Sequence, residues 1–246
     1  MKSVQQIGSA PNIYALVEGK RTEKELYRAW LRAALPKLEV VGRPEDLGGN
    51  SLFLVSGNGY PSYKQRIIQS LQDIAQHGAI DAFLVCVDSE EMSRDEKLEE
   101  LQTILKSAQP FPRTKLVVHD CCIETWLLAH RKIVSRTPQE SQLGKFVAHF
   151  DVTHLDPEKM PLLPEFRVRA QHHFAYLKAS FRERGLSYTK AHPGCACDAK
   201  YFEELARRCT NTGHISSFRV LLDVLAELGA EPERIGRAVC SGYRTR

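Results

Sequence analysis

The sequence lacks the long apolar runs of a membrane protein and the N-terminal pattern of a secreted one. Its longest apolar runs, around "FLVCV" and "KLVVH", are far shorter than the ~20 residues that span a bilayer. The N-terminus "MKSVQQIGSAPN" has no apolar stretch of the kind that a secretory signal requires. We therefore expect a cytoplasmic protein without a membrane partner.

The sequence also lacks a disulfide framework, internal repeats and a strong charge of one sign. Its cysteines are odd in number and irregularly spaced, which favours reduced thiols. The formal net charge of +4 is too small to indicate a polyanionic partner by itself. The seven cysteines are Cys86, Cys121, Cys122, Cys195, Cys197, Cys209 and Cys240.

Apolar runs alternate with helical patterns in the first half of the chain. Strands are predicted at 13–17, 51–57, 80–87 and 114–120, and helices at 22–35, 63–76 and 96–108, with a further helix starting in "IETWLLAHRKI". Thr22 is predicted to cap the first of these helices. Short apolar strands that are each followed by a helix predict an α/β fold, with a largely parallel sheet covered on both faces.

The composition changes after about residue 135. The pieces "ESQLGKFVAHF", "QHHFAYLKASFRER", "DAKYFEELARRC" and "ISSFRVLLDVLAEL" are all helical in pattern. We predict an α/β catalytic domain at 1–135 and a C-terminal helical extension at 136–246 that packs on it. The apolar faces of these helices could serve a core or an interface between copies of the chain, so a homo-oligomer stays open.

Acidic residues follow three of the predicted strands. Glu18 follows "ALV", Asp88 and Glu90 follow "FLVCV", and Asp120 and Glu124 follow "LVVH". A single acid at a strand end is usually a solvated loop residue or a helix cap. The carboxyl ends of parallel strands, however, share the edge where ligands bind, and a cluster of carboxylates there suits Mg²⁺ or Mn²⁺.

The segment "RVRAQHHFAYLKASFRERGLSYTK" mixes basic and aromatic side chains. This mixture suits phosphate contact and base stacking, with Arg167, Arg169 and Lys178 as the nucleic-acid-binding candidates. An amphipathic helix whose aromatic residues face the core and whose basic residues face water would show the same pattern. Both interpretations stay open.

The acidic motifs resemble those of a known family. "LVEGKRTE" before a helix, followed by a strand that ends in "VDSEE", is similar to the TOPRIM domain of topoisomerases, primases and OLD-family nucleases. Glu18 matches the family's glutamate, and Asp88 with Glu90 matches its acidic pair, although a glutamate replaces the second aspartate. "EGKRTE", with Glu23 five residues after Glu18, and "CIETWLLAH" resemble stand-alone bacterial RloB-like, defence-associated proteins, which places Glu124 at the metal site.

This resemblance, which covers about residues 10–135, implies a TOPRIM-like nuclease that hydrolyses phosphodiester bonds in DNA or RNA. Mg²⁺ or Mn²⁺ would be held by Asp88 and Glu90, with Glu18 and Glu124 as further ligands or Glu18 as general base. The family setting implies an effector of antiviral (anti-phage) defence with an ATPase partner. A non-catalytic TOPRIM-like subunit that binds nucleic acid or a partner is the alternative.

A cation is expected to complete the catalytic site by stabilising the charge of the transition state. Lys190 is the preferred candidate because "SYTK" belongs to a segment that resembles such bacterial proteins. Lys20 and Arg21 could equally contact the phosphate backbone at the start of the first helix.

The cysteine and histidine residues allow two other kinds of site. A Cys–His hydrolase would use Cys121 or Cys122 with His119, but adjacent residues of one strand point to opposite faces. A structural zinc ion would have five candidate ligands, but their spacing differs from that of paired C-x-x-C motifs. These candidates are His192, Cys195, Cys197, Cys209 and His214.

Overall fold

The computed structural model describes residues 11–78, 80–108 and 111–236. Five parallel strands form one sheet in the order β2-β3-β1-β4-β5. The predicted parallel sheet is therefore confirmed. The strands are β1 Ile13–Val17, β2 Glu39–Val41, β3 Ser51–Ser56, β4 Ala82–Asp88 and β5 Thr114–His119.

The edge strand β2 escaped prediction because it is only three residues long and lacks an apolar run. Its residues Glu39 and Val40 are exposed, so neither burial nor alternation marks them in the sequence.

Eight α-helices lie within the described residues, and they confirm the predicted α/β fold with C-terminal helices. Three connect strands in the first half, and α4 follows the last strand. The other four correspond to the helical pieces predicted after residue 135. The helices are α1 Thr22–Ala34, α2 Ser62–His77, α3 Arg94–Ser107, α4 Ile123–Leu128, α5 Ser141–His149, α6 Arg169–Glu183, α7 Ala199–Thr212 and α8 Ser216–Glu227.

The sheet has a hydrophobic core on each face. In β1, Ile13, Ala15 and Val17 belong to one core, and the intervening Tyr14 and Leu16 belong to the other. The first core includes side chains of α1 and of α4 to α8, while α2 and α3 cover the second. Because both faces are covered, all five residues of β1 are fully buried, which explains its uninterrupted apolar sequence. The helices after residue 135 thus share one core with the sheet, and the division at 135 stays a prediction.

Trp30 joins the two halves of the chain. Its ring packs at centroid distances of 6.0 to 6.5 Å from Trp126, Phe202 and Phe218, and its Nε1 donates a hydrogen bond to the Ala196 carbonyl at 2.9 Å. This contact holds α1, which begins beside the acidic sheet edge, against the C-terminal helices.

The predicted N-cap of α1 is wrong by one residue. The cap position is Arg21, and Thr22 already belongs to the helix. The Thr22 hydroxyl instead donates a hydrogen bond to the Lys190 carbonyl at 2.5 Å. A tertiary contact has therefore taken the hydroxyl that the local pattern assigned to a cap.

Two further expectations concern the membrane and the thiols. In the three described ranges, no helix has both the length and the apolar character needed to cross a membrane. All six cysteines in those ranges are free thiols. Cys240 lies outside the described residues.

Candidate acidic site

The acidic edge lies where the strand order reverses. From β1 the chain passes to β2 and β3 on one side and then crosses to β4 on the other side. In open α/β sheets, ligands bind at the carboxyl ends of strands beside such a reversal. Val17 is in register with Cys86, and Glu18 donates its backbone N–H to the Cys86 carbonyl at 3.0 Å. Glu18 and Asp88 therefore lie side by side at this edge.

Glu18 is buried, with only 7% of its surface exposed to solvent. Its Oε2 accepts a hydrogen bond from the Asp88 backbone N–H at 2.9 Å. Burial, followed by the charge of Asp88, raises its pKa from 4.5 to about 7. Glu18 is therefore held at the sheet edge in surroundings that disfavour its negative charge.

Asp88 is oriented by a chain of buried hydrogen bonds. Its Oδ1 lies 2.6 Å from His119 Nδ1, and His119 Nε2 lies 2.7 Å from the Tyr27 hydroxyl. Burial lowers the pKa of His119 to about 4, so the ring is neutral at pH 7 and carries one proton. The two ring nitrogens of His119 thus link the Tyr27 hydroxyl to the Asp88 carboxyl group.

Burial, followed by the charge of Glu124, raises the pKa of Asp88 well above its usual range. His119 and Tyr27 were missed as site residues. The pairing of β4 with β5 places His119 beside Asp88, and Tyr27 reaches the site from α1 through its hydrogen bond with His119.

Glu124 reaches the same edge from the first turn of α4. It is buried, and its Oε1 accepts a hydrogen bond from the Tyr188 hydroxyl at 3.1 Å. Glu90 is exposed and has a left-handed backbone with φ of 54°, and its N–H donates to the Cys121 carbonyl at 2.8 Å. Its negative charge contributes to the raised pKa of both Glu18 and Asp88. Glu90 and Glu124 therefore lie near enough to Asp88 to affect its pKa, and metal binding by the four acids stays a prediction.

Glu23 belongs to this cluster and was not assigned to it from the sequence. Burial, followed by the charge of Asp88, raises its pKa to about 7. A Cβ atom on Gly19 would overlap the Glu23 carboxylate, so the bare glycine backbone makes room for this side chain. The spacing of "EGKRTE", which puts an acid in the first turn after Gly19, was the available signal.

Lys190 contributes positive charge to the cluster. Desolvation by burial lowers its pKa, but the charges of Glu124 and other acids outweigh this effect and raise it overall. Its ammonium lies 5.6 Å from the centre of the Phe174 ring, and its backbone carbonyl is held by Thr22. The lysine chosen from the sequence therefore lies beside the acids, although its role stays a prediction.

The candidate phosphate contacts are more scattered. Lys20 and Arg21 are exposed directly after Glu18, and Arg167 and Lys178 are exposed elsewhere. Arg169 differs because its Nη2 lies 3.1 Å from Asp120 Oδ1 in an ion pair. Asp120 therefore already has a cationic partner.

The aromatic residues of the segment 167–190 mostly face the core. Tyr176, Phe181 and Tyr188 are buried, whereas Lys178 on the same helix is exposed. This arrangement is that of an amphipathic helix, so the structure favours that interpretation over a basic and aromatic nucleic-acid surface.

The two other kinds of site are not supported. His119 bonds to Tyr27 and Asp88 rather than to a cysteine, which leaves a Cys–His hydrolase without its base. Cys209 Sγ contacts the Ile215 carbonyl, and His214 contacts Arg208. Within the described part of the chain, a different trio, Cys121, Cys122 and His173, is the one group of His, Cys, Asp and Glu side chains whose ligand atoms all lie within 4.8 Å of one another.

The acidic cluster suits a hard divalent cation. Its donors are carboxylate oxygens, which Mg²⁺ and Mn²⁺ prefer. Among the described residues, no three carboxylates have oxygen atoms that all lie within 4.8 Å of one another. Mg²⁺, however, is usually held by one or two carboxylates together with water and substrate phosphate. Burial, followed by the charge of neighbouring acids, raises the pKa values of Glu18, Glu23 and Asp88, and a bound cation would favour their ionised forms.

No protein-family model matches the chain, and neither a curated protein nor a solved structure matches it. The TOPRIM resemblance accordingly stays a prediction that depends on the motifs themselves.

Proposed function

We propose that this chain is a nuclease that hydrolyses phosphodiester bonds with the help of Mg²⁺ or Mn²⁺. The observation that carries the proposal is the convergence of Glu18, Asp88 and Glu124 at the strand-order reversal, with Lys190 beside them. Carboxylates and a lysine at one ligand-binding edge suit phosphoryl transfer, in which charge must be positioned and stabilised.

The chain's own residues divide the work. Asp88, oriented by His119, and Glu18 are the carboxylates that would hold the cation, with Glu90 and Glu124 close by. When bound, the cation would supply Lewis-acid stabilisation of the phosphoryl oxygens and a lower pKa for the attacking water.

Proton transfer and charge stabilisation fall to other groups. A carboxylate with a pKa of about 7 is suited to take a proton from water near neutral pH, and burial gives Glu23 such a pKa. Lys190 provides positive charge toward the phosphoryl group as negative charge grows on its oxygens.

Nucleic acid is the proposed substrate class because two kinds of contact surround the acids. Lys20 and Arg21 are exposed at the start of α1, where the helix dipole also attracts phosphate. Tyr60 is 54% exposed and follows Gly59, whose N–H donates to the Glu18 carbonyl at 3.0 Å. An exposed ring beside the acidic edge can stack on a base.

The test is cleavage of labelled single- and double-stranded DNA and RNA by the full chain with Mg²⁺, Mn²⁺ or chelator. We expect cation-dependent cleavage that falls by about 100-fold or more in Glu18→Gln and Asp88→Asn, because each removes a charge at the reacting centre. Glu99→Gln is the matched control, since Glu99 is exposed on α3.

Cleavage that survives in both site variants would refute the proposed site. A wild-type chain that binds the same nucleic acids in a filter-binding assay but never cuts them would refute hydrolysis and leave the non-catalytic alternative. The assay is run with and without an ATPase encoded beside the chain, because the defence role and the ATPase partner are proposals taken from the resemblance.

A further inference from the structure

A second cluster of ligand-type side chains lies at the turn between β5 and α4. The Sγ atoms of Cys121 and Cys122 and a ring nitrogen of His173 lie within 4.8 Å of one another. All three residues are buried, and His173 comes from α6, far away in the sequence. Two thiols and an imidazole form a soft ligand set, unlike the carboxylates of the acidic site.

The backbone at Cys121 explains how two adjacent cysteines share one site. Cys121 has a φ of 65°, which is uncommon for a residue with a side chain, and Cys122 is extended. Hydrogen bonds hold this turn, because Cys121 N–H donates to the Ser89 hydroxyl at 2.9 Å and its carbonyl accepts from Glu90 N–H at 2.8 Å. The side chains therefore do not alternate as they would in a strand.

The imidazole of His173 has one satisfied nitrogen and one free nitrogen. Its Nδ1 lies 2.7 Å from the Thr125 hydroxyl, and its buried Nε2 has no hydrogen-bond partner among the residues that the structure describes. A buried polar atom without a partner is unfavourable, because no hydrogen bond offsets its lost hydration. If Nδ1–H donates to Thr125, Nε2 presents a lone pair, which is the usual arrangement of a metal-ligating histidine.

Charge also favours a divalent soft metal at this place. Zn²⁺ with two thiolates and one neutral imidazole has no net charge, so it can be buried without the cost of an isolated ion.

We propose that Cys121, Cys122 and His173 bind a zinc ion that fastens α6 to the β5–α4 turn. Two cysteines and one histidine are the three protein ligands of zinc sites that keep their fourth position for water. The ion would brace the turn that delivers Glu124 to the acidic edge. This site differs from the acidic site in ligand type, and its test needs no cleavage activity.

The test is the zinc content of the full chain, measured by inductively coupled plasma mass spectrometry. The protein is purified with an affinity tag that contains no histidine. We expect about one zinc ion per chain, and less than about 0.1 in Cys122→Ser and in His173→Asn. The double variant Cys195→Ser/Cys197→Ser is the matched control, because it removes two thiols outside the trio and should keep the zinc. Circular dichroism checks that each variant is folded.

A second measurement needs no variant. Wild-type protein in which Co²⁺ replaces the zinc should show the intense near-ultraviolet absorption of thiolate-to-cobalt charge transfer. Protein without bound metal, a disulfide between Cys121 and Cys122, or zinc retained in both trio variants would overturn the proposal. Zinc lost from the Cys195/Cys197 control but kept by the trio variants would also overturn it.

Discussion

Raising the pH should lower the thermal stability of the protein in the absence of divalent cations, and Mn²⁺ should restore that stability. The reason lies in the buried carboxylate of Glu18, whose pKa is about 7 in the folded protein against an ordinary 4.5. A raised carboxylate pKa means that the folded state favours the protonated form. The stability from this group is therefore fully present below about pH 4.5 and is lost as the pH rises through about 7.

The size of the effect follows from that difference. About 7 minus 4.5 is about 2.5 pH units, and at about 1.4 kcal/mol per unit Glu18 alone accounts for about 3 kcal/mol. For a chain of this length, each kcal/mol changes the melting temperature by about 2 to 4 °C. Between pH 5 and pH 8, about 2.5 kcal/mol of this stability is lost, so Glu18 should lower the melting temperature by about 5 to 10 °C.

The assay is thermal unfolding followed by circular dichroism at several pH values, with and without Mn²⁺. Glu18→Gln should show a smaller decline than wild type, because an amide does not ionise. The Glu99→Gln control should keep the wild-type decline. Mn²⁺ should stabilise wild type more at pH 8 than at pH 5, since protons compete with the cation for the carboxylates.

Two results would refute this reasoning. If wild type and Glu18→Gln lost stability in parallel as the pH rose, Glu18 would not be the group that titrates. If Mn²⁺ raised the melting temperature equally at pH 5 and pH 8, or not at all, the cation would not bind the ionised acidic cluster.

Two further predictions concern the glycine under Glu23 and the aromatic centre of the core. Gly19→Ala should displace the Glu23 carboxylate and slow cation-dependent cleavage by about 10- to 100-fold. Gly48→Ala is the control and should leave the cleavage rate unchanged, because a Cβ atom there meets nothing within 4 Å. Equal cleavage rates in the two variants would contradict the role of Glu23. Trp30→Ala should lower the free energy of unfolding in urea by about 3 to 5 kcal/mol, because a fully buried ring and its hydrogen bond to Ala196 are lost. Leu186→Ala, at a 41% exposed side chain, should change it by less than about 0.5 kcal/mol, and similar losses in both variants would contradict the packing account.

Much of the fold could be read from local patterns. The apolar runs at 13–17 and 51–57 became β1 and β3 because burial on both sheet faces requires continuous apolar sequence. The helical pieces after residue 135 were confirmed for a similar reason, since a helix packed on one side shows its period in the sequence. The edge strand β2 has no such burial and left no pattern.

The candidate site was predictable only in part. Glu18 and Asp88 were found because an acid after a buried strand is a local feature. The position of Glu23 became clear only from the structure, where its carboxylate occupies the space that a Cβ atom on Gly19 would fill. His119 could be placed beside Asp88 only from the pairing of β5 with β4. The ion pair of Arg169 with Asp120 likewise joins residues that no short-range pattern connects.

The sequence by itself therefore determined the type of the main helices and strands, though not the edge strand β2, and which strand ends carry acids, because these properties depend on neighbours along the chain. Only the tertiary structure decided that β1 lies beside β4, that Lys190 returns to the acidic edge, and that His173 meets Cys121 and Cys122. Strand order and helix packing are set by contacts between distant residues, and those contacts place the side chains on which chemistry depends.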